Sequence, residues 1–142
     1  MTYYPYLVIP AIAWFIAQSL KVVTDSVWHR RVDLARLGSS GGMPSSHTAM
    51  VLCLTTLIGR RVGVGSAEFA VSAIFSAVVM YDATGVRRAV GRQARVLNRI
   101  VDDLLTQQGL NEDRLRELIG HTPIQVYAGA ALGIGIALVL GR

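Results

Sequence analysis

Tyr3 to Leu20 reads YYPYLVIPAIAWFIAQSL, 18 residues without a charge. A helix needs about 20 apolar residues to cross a bilayer core, so this stretch is close to one full crossing. Lys21 closes it. Three more apolar runs follow. Leu37 to Gly59 is uncharged, but it opens with Gly38-Ser39-Ser40-Gly41-Gly42, which is loop chemistry. Its helix is therefore expected from near Ser45 or Ser46 to just before Arg60-Arg61. Phe69 to Tyr81 is the third run, extended backward past the lone Glu68. Leu118 to Gly141 is the fourth, uncharged apart from any proton on His121. The second and third are short for complete crossings. The first has neither the basic start nor the small-residue cleavage site of a signal peptide.

The composition agrees with lipid as the solvent. Apolar residues make up 52% of the 142-residue chain and charged residues 16%, against about 25% charged in soluble domains. Disorder, a collagen-like fibre and a disulfide scaffold are excluded, the last because Cys53 is the single cysteine. The expected fold is all-α, one membrane-embedded domain over residues 1–142. It is a polytopic membrane helix bundle of about four spans plus an amphipathic surface helical hairpin. Eleven of the 14 Lys and Arg residues fall in the first and third connections, three in the second connection and the C-terminus. The positive-inside rule then puts both termini outside and the odd connections in the cytoplasm. The Arg60-Arg61 pair runs against that trend.

The third connection has its own pattern. Leu97, Ile100, Val101, Leu104 and Leu105 recur at helical spacing, with Arg95, Arg99, Asp102 and Asp103 on the polar part. Gly109 is the expected stop, and Asn111 the cap of a second short helix ending at Gly120. These two helices are the hairpin, lying on the membrane surface or under the bundle. The last helix is expected from Pro123, behind the capping box Thr122-Pro123-Ile124-Gln125. Gly129 and Gly133 give it a small-xxx-small face for close helix contact.

Alternating crossings bring the conspicuous polar residues to one membrane face. Lys21 ends the first run, Pro44-Ser45-Ser46-His47 begins the second, Tyr81-Asp82 and Arg87-Arg88 end the third, and His121 begins the fourth. A helix start offers unpaired N–H groups and a favourable dipole for an anion. Lys21, Arg87 and Arg88 add charge, and Arg forks onto oxygens. Two histidines can divide nucleophile and general-acid duties near neutral pH. Such a set suits a phosphate ester. Asp82, an ionisable group at the end of a span, is a further candidate. No metal and no cofactor are expected, and Asp102-Asp103 read as a solvated helix face. Nucleic acid is a poor fit, since no aromatic platform interleaves the basic residues.

Three blocks carry a family resemblance: Gly41-Gly42-Met43-Pro44-Ser45-Ser46-His47-Thr48-Ala49, Tyr81-Asp82-Ala83-Thr84-Gly85-Val86-Arg87-Arg88, and Gly120-His121-Thr122-Pro123 with Gln125-Val126. Together they resemble the divergent bacterial branch of the type 2 phosphatidic acid phosphatase superfamily, related to acid phosphatases and vanadium-dependent haloperoxidases. The resemblance extends from about Lys21 to Gly135. It implies a bacterial inner-membrane protein with His121 as nucleophile and His47 as the acid for the leaving oxygen. Lys21, Ser45 and the backbone at Ser46 would hold phosphate.

The departures matter as much. No Arg-Pro follows Lys21 at the superfamily's spacing, and Ser46 stands where it has glycine. Arg116 is one position out of register, so Arg87 and Arg88 are the preferred cations. Gln125 replaces the carboxylate four residues after the nucleophilic histidine.

Three functions are therefore in play. The first is a membrane phosphatase for a lipid or prenyl phosphate monoester, working through a phosphohistidine at the cytoplasmic headgroup level. The second is a non-catalytic binder of phosphate or phospholipid headgroups, motivated by Gln125. The third is a structural bundle that oligomerises through Gly129 and Gly133. The expected partners are the lipid bilayer, the lipid phosphate and further copies of the chain in a homo-oligomer.

Overall fold

A computed structural model describes residues 4–29, 42–105 and 121–141. Its elements are α1 (Tyr4–His29), α2 (Ser46–Arg61), α3 (Ala67–Tyr81), a π turn (Asp82–Val86), α4 (Arg87–Leu105) and α5 (Pro123–Leu140). Three stretches are long and apolar enough to cross a membrane: Tyr4–Thr24, Ala67–Asp102 and Pro123–Leu140. α2, with 16 residues, rises only about 24 Å. It sits in the middle of a helical membrane bundle, in contact with α1, α3 and α5.

Small residues spaced four apart let the helices close. On α2 the face Ser45, Ala49, Cys53 and Leu57 is buried. Gly129, Gly133, Ala137 and Gly141 oppose it on α5. A Cβ at Gly129 would fall on the Ser45 carbonyl oxygen, and one at Gly133 on that of Ala49. On α1 the buried residues Ile9, Ala13, Ala17 and Lys21 have the same spacing. Rows of this kind are the ridges that interdigitate between packed helices. Lipid tails are as apolar as Leu, so close packing and hydrogen bonds drive association here. The α2–α3 seam uses hydroxyls: Thr55 Oγ1 lies 2.5 Å from Ser72 Oγ and 2.9 Å from Ser76 Oγ.

The contacts at the helix ends set the directions. The Ser45 N–H donates to the Gln125 carbonyl at 3.0 Å. At the other end Arg61 donates to the Gly141 carbonyl at 3.4 Å, so α2 and α5 run parallel. Lys21 meets Ser46 and Arg61 lies over the Tyr6 ring, so α1 runs antiparallel to α2. α3 does too, with Phe69 against Gly59 and Asp82 beside Ser45 and His47. Arg60 also donates to the Leu138 carbonyl, at 3.1 Å. Both arginines thus serve the negative end of α5, where cations are favoured.

The amphipathic helix expected as the first arm of the hairpin is present, but it is joined end to end to the helix before it. α4 continues α3 through the π turn, which supplies its main contacts. The turn at Gly109 and the second arm lie outside the described residues. The Gly129–Gly133 face is consumed inside the chain rather than offered to another copy, because α2 lies directly on it.

Gly133→Ala is expected to lower stability by about 1–3 kcal/mol through overpacking against backbone. Gly135→Ala, with nothing near its added Cβ, should leave the midpoint unchanged in thermal unfolding in detergent.

Candidate functional site

The site is built at the start of α2. Gly42 has φ +99°, a left-handed conformation that suits glycine. It begins the turn Gly42-Met43-Pro44 leading into the helix. Thr24 on α1 ties that turn down, its hydroxyl donating to the Met43 carbonyl at 2.9 Å. Ser45 is the N-cap of α2. Its Oγ accepts from the Thr48 hydroxyl at 3.0 Å and, more weakly, from the Thr48 N–H at 3.5 Å. A hydroxyl that accepts still has its own proton to donate, and Ser45 lines the cavity described next.

A cavity of about 290 Å³ lies between the start of α2, the end of α3 and the segment preceding α5. Ser45, His47, Asp82 and His121 are on its wall, with Val78, Val79 and Ala83 as its apolar part. Four residues singled out in the sequence therefore share one space. Asp82 is the one carboxylate on that wall among the described residues. It is presented by the π turn, an element that recurs at functional sites. The same turn anchors His121, whose N–H donates to the Ala83 carbonyl at 3.1 Å. His121 is 4% exposed.

Gln125 both caps α5 and holds the histidine. Its Oε1 accepts the Thr122 N–H at 3.0 Å and lies 3.1 Å from His121 Nδ1. A backbone N–H can only donate, so the Gln125 atom beside it is the oxygen. That oxygen in turn can only accept, so Nδ1 carries the proton and the lone pair of neutral His121 is on Nε2.

Lys21 is placed differently from the expectation. It is 3% exposed and donates to Ser46 Oγ at 3.1 Å, behind the α2 start rather than on the cavity wall. Among the described residues no carboxylate pairs with it. Arg87 and Arg88 lie in the first turn of α4, and their side chains are outside the description, as are Arg116 and Glu117. Thr24 and the Ala83 carbonyl were not singled out in the sequence. A threonine in an apolar helix and a main-chain carbonyl carry no pattern of their own. Among the described residues no three His, Cys, Asp or Glu are grouped to hold a metal.

Comparison with known proteins bears on the whole arrangement. The model of the Divergent PAP2 family matches residues 3–136. The chain belongs to that family. It is also 41% identical over 139 residues to Uncharacterized membrane protein YuiD of Bacillus subtilis (strain 168), covering 90% of this chain and 88% of the relative. No solved structure matches the chain. The family places these residues in a membrane protein of PAP2-related kind, in keeping with three helices fit to cross a bilayer.

The Gln125 contact is directly measurable. Long-range ¹H–¹⁵N spectra of histidine-labelled protein in micelles should show neutral His121 as the Nδ1–H tautomer. Gln125→Leu should convert it to a mixture.

Proposed function

We propose that the chain is a membrane phosphatase acting on a lipid or prenyl phosphate monoester. One observation carries this reading: His121, held through Nδ1 by Gln125, shares a cavity with His47 and the capped start of α2. His121 Nε2 attacks phosphorus, the N–P bond forms and the P–O ester bond breaks. His47 gives its proton to the departing alkoxide. It then takes a proton from water, which attacks phosphorus, releases orthophosphate and restores His121. The Ser45 hydroxyl, the first N–H groups of α2 and Lys21 behind Ser46 stabilise the equatorial oxygens. Lys21 is a buried cation against the positive end of α2, and the two together favour an anion at the α2 start. Arg87 and Arg88 follow the π turn and add charge at that end. Asp82, on the wall of the same cavity, supplies the negative charge that Gln125 lacks.

Gln125 also favours a second reading, retention of the anion seat without turnover. A neutral partner orients an imidazole but does not stabilise the cation formed on attack.

In this reading the protein sits in a bacterial inner membrane with the cavity toward the cytoplasm, an orientation that the positive-inside count supports. Arg60 and Arg61, which run against that count, are accounted for by their contacts with α5. We also retain a homo-oligomer in this reading, assembled through faces other than Gly129 and Gly133.

Phosphate release by purified protein from a panel of lipid and prenyl phosphates tests the reading. His121→Ala should abolish release, and His47→Ala should lower it by about 10²–10⁴-fold. Turnover unaffected by both removes the phosphatase. A silent wild type that phosphate nevertheless protects against unfolding, in a Lys21-dependent way, supports the binder.

Gln125→Glu keeps both hydrogen bonds and adds a charge that favours the protonated imidazole. The acid limb of the pH–rate profile should then move up by about one pH unit.

A cysteine added at the C-terminus should react with an impermeant maleimide in intact spheroplasts. One at Gln93 on α4 should react only after permeabilisation.

A further inference from the structure

The seam between α2 and α3 holds a second concavity, larger than the first. An apolar groove of about 580 Å³ opens there to the surrounding lipid. Val51, Leu54 and Ile58 form one wall, Val71 and Phe75 the other, and Glu68 stands at the far end. Ser72 is at its floor, with its hydroxyl turned to Thr55, so no unsatisfied polar group faces the groove from it.

The groove is in register with the cavity. On α2, His47, Val51, Leu54 and Ile58 stand at i, i+4, i+7 and i+11, one face of a helix. On α3 and the π turn, Glu68, Ser72, Phe75, Val79 and Asp82 continue the same pattern. His47 to Val51 and Phe75 to Val79 are each a single turn apart, so nothing intervenes on either helix. Cavity and groove therefore lie end to end along the same faces of α2 and α3, a path polar at its head and apolar along its length. From His47 to Ile58 it rises about 16 Å along α2. The groove at Met80, Tyr81 and Tyr127 lies on the opposite face of α3 and does not join it.

We propose that the α2–α3 seam holds one hydrocarbon chain of the phosphate monoester whose head occupies the cavity. This deepens the phosphatase reading and rests on it. The chemistry agrees with the geometry. The chain is attached to the leaving oxygen, and His47, the donor to that oxygen, stands at the mouth of the groove. A chain leaving phosphorus past His47 enters the apolar walls at Val51 and Val79 directly. A short-chain phosphate would reach the same histidines but leave the seam empty.

Leu54→Trp and Val71→Trp fill the groove from its two walls. Val139→Trp, on an exposed part of α5, is the control. Hydrolysis is measured on butyl, dodecyl and farnesyl phosphates. The groove variants should lower kcat/KM for the long chains by at least about tenfold and leave butyl phosphate unchanged, while the control changes none. A loss confined to one long chain assigns the seam to that chain type. Equal losses on all three substrates, or none on the long ones, overturn the proposal.

A wild type that releases no phosphate from any substrate defeats the phosphatase reading instead. The seam is then tested by photo-crosslinking with an alkyl phosphate carrying a mid-chain diazirine. Adducts on α2 and α3 along the seam, competed by dodecyl phosphate and not by dodecanol, support it. Adducts spread over all lipid-facing helices, or indifferent to the competitor, overturn it.

Discussion

The close approach of α2 and α5 governs the rest of the structure. Two glycines, Gly129 and Gly133, let α5 rest on the carbonyls of Ser45 and Ala49. No side chain larger than hydrogen fits between them. In lipid there is no hydrophobic gain from pressing two apolar helices together, so this contact is held by van der Waals packing and by polar ties at its ends. Those ties are the Ser45 N–H on the Gln125 carbonyl and the Arg60 and Arg61 bonds to the last carbonyls of α5. The result is a parallel pair whose starting ends lie side by side.

The candidate site follows from that pairing. The same first turn of α5 that receives the Ser45 N–H carries Gln125, and Gln125 in turn holds His121. The imidazole is thus set relative to the α2 start by the Ser45 bond to Gln125 and two more bonds that Gln125 makes within residues 121–125. Its other side is tied to the π turn through Ala83. α3 needs no tight contact with α5 for this; it meets α2 through the Thr55, Ser72 and Ser76 hydroxyls. That looser seam leaves room for the cavity and for the apolar groove that continues it. α2 is thus packed tightly on one side and bordered by open space on the other.

Much of the fold was legible in the sequence because charge and length are local signals in a membrane protein. The first apolar helix, seen from Tyr4, and the Thr122 cap with Pro123 are where the sequence puts them, and α2 ends at Arg61, two residues past its expected end. The convergence of Ser45, His47, Asp82 and His121 was legible as well, since alternating crossings fix which helix ends meet. The hairpin was read differently. An amphipathic pattern at residues 97–105 says that a helix exists but not whether it is joined to the one before. The third apolar run was read as ending at Tyr81, and a π turn carries the helix on from there into α4.

The sequence by itself determined the all-helical membrane architecture, the alternation of the helices and the short list of candidate site residues. It did so because apolar length, charge and capping act within a few residues of chain. Only the tertiary structure decided which partner each residue takes. Lys21 goes to Ser46 rather than to the cavity wall, Gln125 serves a backbone N–H and an imidazole with one oxygen, and the glycine face meets α2 rather than another copy. Those choices depend on how helices rotate and slide against one another. Rotation and sliding are set by contacts between residues far apart in the chain, and no local pattern encodes them.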